Sequence, residues 1–332
     1  MNAPVKLSIG ATKKHQVSPT SKKTNPENIL GRRLLTDEIS AMFHKRAEVL
    51  KNRDTRYIRA ITIGQKGGGK TFAAIKTLPR PILFLCFDPD AERIVRPEEV
   101  SNGEILPIQY YGDNPQKPVA YAQYEEDVEN WKENGFFDAF ASVVVDSLST
   151  LYMLHLRQIA FESQKIQKEM NRLDSKVRVR KTLMPELQDY NILKSNSILG
   201  FMSLCSIPCH LVLTAHIQEE RYFSDKEKVL VKIRQIVNAP PAVQAGVPPL
   251  FSEVWLSQWT KDKNTGKKVY TWLTERTRNY KELPLVTRMN HEGKILVKEE
   301  EPQDFRALLK KVNYLWEDKP FIGKVQENEP TA

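Results

Sequence analysis

Residues Gly64-Gln65-Lys66-Gly67-Gly68-Gly69-Lys70-Thr71 constrain this chain more than any other stretch. Three successive glycines allow backbone conformations closed to other residues, so consecutive N–H groups can turn inward around an anion. The fixed positions match the phosphate-loop pattern GxxxxGK[ST], in which the lysine reaches the β- and γ-phosphates and the hydroxyl faces Mg²⁺. Lys70 and Thr71 hold those places, and the helix expected to follow adds its partial positive charge.

The flanks suit that reading. Tyr57–Ile63 is rich in β-branched residues and alternates as a strand does, whereas Thr71–Leu78 suits a short helix stopped at Pro79. From Tyr57 onward strand and helix patterns alternate, the signature of a parallel sheet. Pro81–Phe87, Phe140–Val145 and Cys209–Thr214 are apolar runs of the kind covered on both faces. Between the last two, Leu148 to about Ser175 reads as a long amphipathic helix, Arg178–Gln188 as an exposed connector and Tyr190–Ser206 as a second helix. Beyond His216 the pattern dissolves into a charged stretch ending at Pro240-Pro241 and Pro248-Pro249. Strands are expected again at Phe251–Trp259 and Lys268–Thr274, joined through a turn at Asn264–Gly266, and a closing helix at Asp304–Leu315.

These signals divide the chain into a polar, lysine-bearing tail over 1–30, a helix within 31–55 capped by Thr36, a core over 56–290 and a C-terminal extension over 291–332 with a helix and a flexible end. Hydrophobic residues make up 40% and charged residues 27% of the 332, as in soluble globular proteins. The net charge of +9 favours an acidic polymer as partner. Cys86, Cys205 and Cys209 form no disulfide framework, and Cys205 with Cys209 lacks a second Cys/His pair at ligand spacing, so buried thiols are expected. With no long apolar run and no leader pattern, the expectation is a cytoplasmic protein without membrane contact.

Two further strand ends carry chemistry. Val143-Val144-Val145-Asp146 has the form of an apolar strand ending in the aspartate that holds Mg²⁺ through water. Pro81–Phe87 leads into Asp88-Pro89-Asp90, where a carboxylate can orient or deprotonate an attacking water; either aspartate can also be a turn residue around Pro89. The run Cys209–Thr214 leads into Ala215-His216, whose imidazole can donate to a γ-phosphate.

Taken in order, GQKGGGKT, VVVDSLSTLY and HLVLTAH resemble the RecA-type ATPase core over roughly Arg56–Arg288, and most nearly the phage P-loop proteins that include single-strand annealing ATPases. Leu213-Thr-Ala-His216 and Pro249-Leu-Phe-Ser-Glu-Val-Trp255 are the more distinctive segments. The resemblance implies an α/β fold: a mainly parallel sheet, helices on both faces and a C-terminal antiparallel hairpin. It also implies ATP and Mg²⁺ as ligands and a catalytic carboxylate at Asp88 or, the better match, Asp90. His216 falls where the family has its γ-phosphate sensor. Its DNA-binding loops fall on Lys176–Lys181, with Lys176, Arg178, Arg180 and Lys181, and on Gln218–Gln244, with Lys226, Lys228, Lys232 and Arg234 beside Tyr222 and Phe223. The implied partners are single-stranded DNA, a single-strand-binding protein and further copies of the chain in a ring or filament. Arg276, Arg278, Lys281 and Arg288 are the candidates for contact with a neighbouring copy's phosphates.

The activity expected is DNA-dependent ATP hydrolysis in phage-type recombination, by annealing or strand exchange. A motor or helicase-type ATPase of DNA replication or packaging and a non-catalytic nucleotide-dependent binding module are the rival readings. The first requires a clear arginine finger and a translocation-linked domain; the second follows if neither Asp88 nor Asp90 faces the phosphate.

Overall fold

The alternation of strand and helix patterns places its strands in a single sheet. The computed structural model describes residues 39–42, 44, 57–114, 116–223, 230–277, 280–290 and 295–322. The chain divides into two units, Met1–Asn52 and Arg53–Ala332. In the first unit residues 39–42 and 44 are helical. The polar tail, the Thr36 cap and the far end of the expected first helix lie outside the described residues.

In the second unit the strands are β1 (Arg59–Gly64), β2 (Ile82–Cys86), β3 (Ile105–Gln109), β4 (Ser142–Asp146), β5 (His210–Phe223), β6 (Leu230–Val237), β7 (Glu253–Lys261), β8 (Lys268–Leu273), β9 (Val286–Thr287) and β10 (Glu300–Pro302). Their order across the sheet is β10-β8-β7-β1-β5-β4-β2-β3, with β6 beside β5 and β9 beside β7. The pairs from β7 through β3 are parallel, whereas β8, β9 and β10 join antiparallel. Alternate strand residues feed two apolar layers. Ile61, Leu83, Val143 and Leu213 pack with Leu151 and Tyr152 of the helix Leu148–Leu173 and with Phe201 of the helix Leu187–Leu204. Ala60, Phe84, Val144 and Val212 pack on the other face with Ala74 and Ile75 of the helix Lys70–Thr77. This mainly parallel α/β architecture, with helices on both faces and antiparallel strands toward the C-terminus, is the fold class expected.

Three expectations change. Among the described residues, most of the charged stretch after His216 is strand, not loop. β5 continues to Phe223 and pairs antiparallel with β6, and a short helix, Pro241–Gly246, follows. Pairing in register gives these polar segments backbone partners that an apolar-periodicity reading does not count. Second, the β7–β8 hairpin is built into the sheet, because β7 lies parallel against β1.

Third, the core does not stop at residue 290. β10 extends the sheet beyond β8, and Phe305, Leu308 and Leu309 of the helix Phe305–Lys311 are buried with Trp255 and Trp272. That helix is also tied to the Lys70–Thr77 helix: the Phe305 N–H donates to Thr77 Oγ1 at 2.8 Å. Asp304 caps it by accepting from the Ala307 N–H at 2.9 Å.

Candidate nucleotide site

Because β5 lies between β1 and β4, the ends of three parallel strands meet at one sheet edge. Gly64 is in register with His216, and Cys86 with Asp146. In open α/β sheets this carboxyl edge is where ligands bind. A cleft of about 1060 Å³ opens there, lined by Lys66–Ala73, Asp88, Asp90, Asp146 and His216 and closed from the C-terminal side by Tyr270 and residues 302–304.

The glycine loop turns tightly into its helix. Gly69 is the N-cap of Lys70–Thr77 at φ 87°, a left-handed conformation that disfavours any side chain. At Gly64 the limit is space, since a Cβ would come within 2.6 Å of the Ser257 carbonyl oxygen of β7. No acidic residue occupies the first turn of the helix, so its N-terminal partial charge is uncompensated and favours an anion.

Lys70 is buried, and its Nζ donates to the Gly64 and Gln65 carbonyl oxygens at 2.9 and 3.0 Å. Burial pulls the Lys70 ammonium below its ordinary value, and the neighbouring Asp146 and Asp88 work against that. A buried cation held by two neutral carbonyls is well matched to a polyphosphate.

Thr71 Oγ1 lies 3.1 Å from both Oδ1 and Oδ2 of Asp146, and Thr214 Oγ1 also donates to that carboxylate. Burial raises the Asp146 carboxyl above its usual range and the Asp88 charge adds to this, whereas donation by Thr214 and Thr71 and the Lys70 charge oppose it. Divalent charge beside Asp146 would favour its ionised form. Thr71 and Asp146 therefore fit a Mg²⁺ that keeps water and phosphate oxygens in its shell.

The two candidate carboxylates stand in different surroundings. Asp88 Oδ2 lies 2.9 Å from His216 Nε2, Ser147 Oγ donates to Oδ1 at 2.8 Å, and Thr150 Oγ1 donates to the same oxygen. Burial pushes the Asp88 carboxyl up, but these donors outweigh it and hold the group below its ordinary value. Asp90, favoured from sequence, lines the cleft but points to solvent, with its side chain 56% exposed and paired with Arg93 at 3.0 Å. His216 is anchored through its backbone as well: its N–H donates to Ser149 Oγ at 3.0 Å, and its carbonyl accepts from Asn238 at 2.8 Å.

Gln303 is a site residue that sequence reading missed. Its Nε2 lies 2.9 Å from the Gly68 carbonyl oxygen, 2.9 Å from that of Thr271 and 3.3 Å from that of Gln258. One amide thus fastens the phosphate loop to the β7–β8 hairpin. No local pattern announces a contact made across 235 residues.

Among the described residues, the remaining candidates do not line the cleft. Lys176, Arg178 and Lys181 are exposed, but Arg180 is not. Its guanidinium is buried against Asp189, with Nη1–Oδ2 at 2.6 Å and Nη2–Oδ1 at 3.2 Å, so Arg180 is corrected from a DNA contact to a structural partner of the Leu187–Leu204 helix. Lys232 and Arg234 lie on β6 in register with Tyr222 and Glu220; the side chains of 221–235, like Lys226 and Lys228 as a whole, lie outside the described residues. Arg276, Lys281 and Arg288 are exposed, and Arg278 lies outside the described residues. Among the described residues no helix is long and apolar enough to cross a membrane.

No protein-family model and no curated protein matches this chain. Among solved structures it is similar to the KaiC-like protein PH0186 from the hyperthermophilic archaeon Pyrococcus horikoshii OT3, at 12% identity. The match covers 66% of this chain and 78% of that one, with a TM-score of 0.33. At that score the likeness decides neither fold nor chemistry.

Proposed function

We propose that this protein is a Mg²⁺-dependent, RecA-like ATPase that acts on single-stranded DNA in phage-type recombination, by annealing or strand exchange. The observation that carries the ATPase part is the convergence of Lys70, Thr71, Asp146 and the Asp88–His216 pair on one cleft at the carboxyl edge of the sheet. Loop N–H groups and Lys70 would hold the phosphates, and Thr71 with Asp146 would hold the metal. Mg²⁺, when bound, neutralises charge on the phosphate oxygens.

Asp88 is the carboxylate for the attacking water. Donation by Ser147 and Thr150, which does not involve His216, favours its ionised form; that makes it a weak base but a good acceptor, so its work is to orient the water's O–H. His216 would exchange its bond to Asp88 for one to the γ-phosphate and so register that group's presence. β5 runs unbroken from Ala215 and His216 into its pairing with β6, which gives the exchange a path out of the site.

The DNA part rests on the resemblance of the Walker-type and His216 segments and on the net charge of +9. Assembly into a ring or filament, and partnership with a single-strand-binding protein, belong to the same reading. Measuring phosphate release with and without single-stranded oligonucleotide tests it. Turnover raised by the oligonucleotide is expected; turnover indifferent to it would favour a motor or another ATPase class, and tight ATP binding without turnover a non-catalytic module.

A further inference from the structure

The projecting end of the β7–β8 hairpin is a charged surface that the nucleotide chemistry does not use. Lys261, Lys263, Lys267 and Lys268 are exposed there, and none has a carboxylate at ion-pair distance among the described residues. The local acid, Asp262, is turned inward on the turn: its Oδ1 accepts from the N–H groups of Asn264 and Thr265 at 3.0 and 2.6 Å and from Thr265 Oγ1 at 2.8 Å. Four cations are thus left facing solvent.

Aromatic rings stand beside them. Trp259 is 41% exposed and Tyr270 is 37% exposed, and the two are opposite each other in register. Lys268 Nζ lies 4.3 Å from the centre of the Trp259 ring, which places a cation and a π-face side by side. The pair also straddles the phosphate loop. Tyr270 lines the nucleotide cleft, and Trp259 lines a second cavity of about 390 Å³ formed with Gln65, Lys66, Gly68 and Tyr280.

Resting on the single-stranded DNA reading above, we infer that the β7–β8 hairpin, Trp259–Tyr270, is its single-strand-binding surface, with lysines on phosphates and Trp259 stacking on a base. Free cations beside an exposed ring are what a single strand needs, because an unpaired base offers a face that a duplex hides. The 176–181 segment offers exposed cations but contains no aromatic residue. The hairpin and the phosphate loop line the second cavity together and are tied through Gln303, so a strand bound there is linked to the nucleotide site.

The test uses the full chain with Mg²⁺ and a non-hydrolysable ATP analogue, titrated against a fluorescent oligo(dT) at several salt concentrations. Lys261→Gln, Lys263→Gln and Lys267→Gln together should flatten the log–log salt slope by about two, at roughly 0.7 per lost phosphate contact. Trp259→Ala should weaken binding about tenfold and Trp259→Phe far less, with the analogue's affinity, measured without oligonucleotide, unchanged in every variant. A triple variant with the parent's slope and affinity overturns the hairpin assignment while leaving the single-strand reading standing. A parent that binds the analogue but no oligonucleotide overturns both. If Trp259→Ala binds as the parent does and heparin competes as well as oligo(dT), the surface takes acidic partners in general and the nucleic-acid assignment fails.

Discussion

His216 Nε2 lies 2.9 Å from Asp88 Oδ2, joining two parts of the sheet edge that are 128 residues apart in the chain. With Ser147 and Thr150 also donating to Asp88, this network selects one carboxylate of the Asp88-Pro89-Asp90 turn. Asp88→Asn should lower ATP turnover by about a hundredfold or more with near-parent ATP affinity. Asp90→Asn, altering an exposed side chain paired with Arg93 at 3.0 Å, should leave turnover near the parent's. Steady-state kinetics of both variants decide the matter, and the reverse order of effects would return the role to Asp90.

That choice was beyond the sequence, because both aspartates follow the same apolar strand. The strand, glycine loop and helix around Lys70 were legible since each is a local pattern, and so were the apolar runs that became β2, β4 and the first half of β5. What was lost depends on distant partners. Val231 and Ile233 alternate with Lys232 and Arg234, a short period-2 signal outweighed by its charges until β5 is seen to pair with it. Arg180 reads as one more loop cation until Asp189 closes on it, and Gln303 reads as a surface amide until β10 brings it to Gly68.

Arg180 should therefore matter to stability. Asp189 has no solvent exposure, and removing its partner would leave a buried carboxylate with only the Ser163 hydroxyl, 3.0 Å away, and the Glu186 N–H, 2.8 Å away. Arg180→Ala should destabilise the fold by roughly 3–5 kcal/mol. Urea unfolding measures this. A parent-like midpoint together with weakened oligonucleotide binding would restore Arg180 to the nucleic-acid surface.

Glu253 gives the fold a pH dependence. It is buried on β7, where Thr287 Oγ1 donates to it at 2.6 Å and the Arg288 N–H at 3.2 Å. Burial pushes its carboxyl up to about 7, against the donors' pull in the other direction. A carboxyl raised on folding binds more protons in the native state, so its contribution is unfavourable once both states ionise. Stability should fall as pH rises from about 4.5 through about 7, by about 3 kcal/mol in all. Glu253→Gln should remove that loss, so that thermal unfolding of parent and variant diverges between pH 5 and pH 8. Parallel curves would mean that Glu253 ionises in the fold without penalty.

The most direct test of the nucleotide site is equilibrium binding of Mg-ATP to the parent and to Lys70→Ala, with circular dichroism as the check on folding. Lys70 supplies the buried charge of the loop, held by two carbonyls at 2.9 and 3.0 Å. Tight binding by the parent and a loss of at least tenfold in the variant, with the fold retained, are expected. Equal affinity for ATP in a folded Lys70→Ala protein would contradict the nucleotide-site reading.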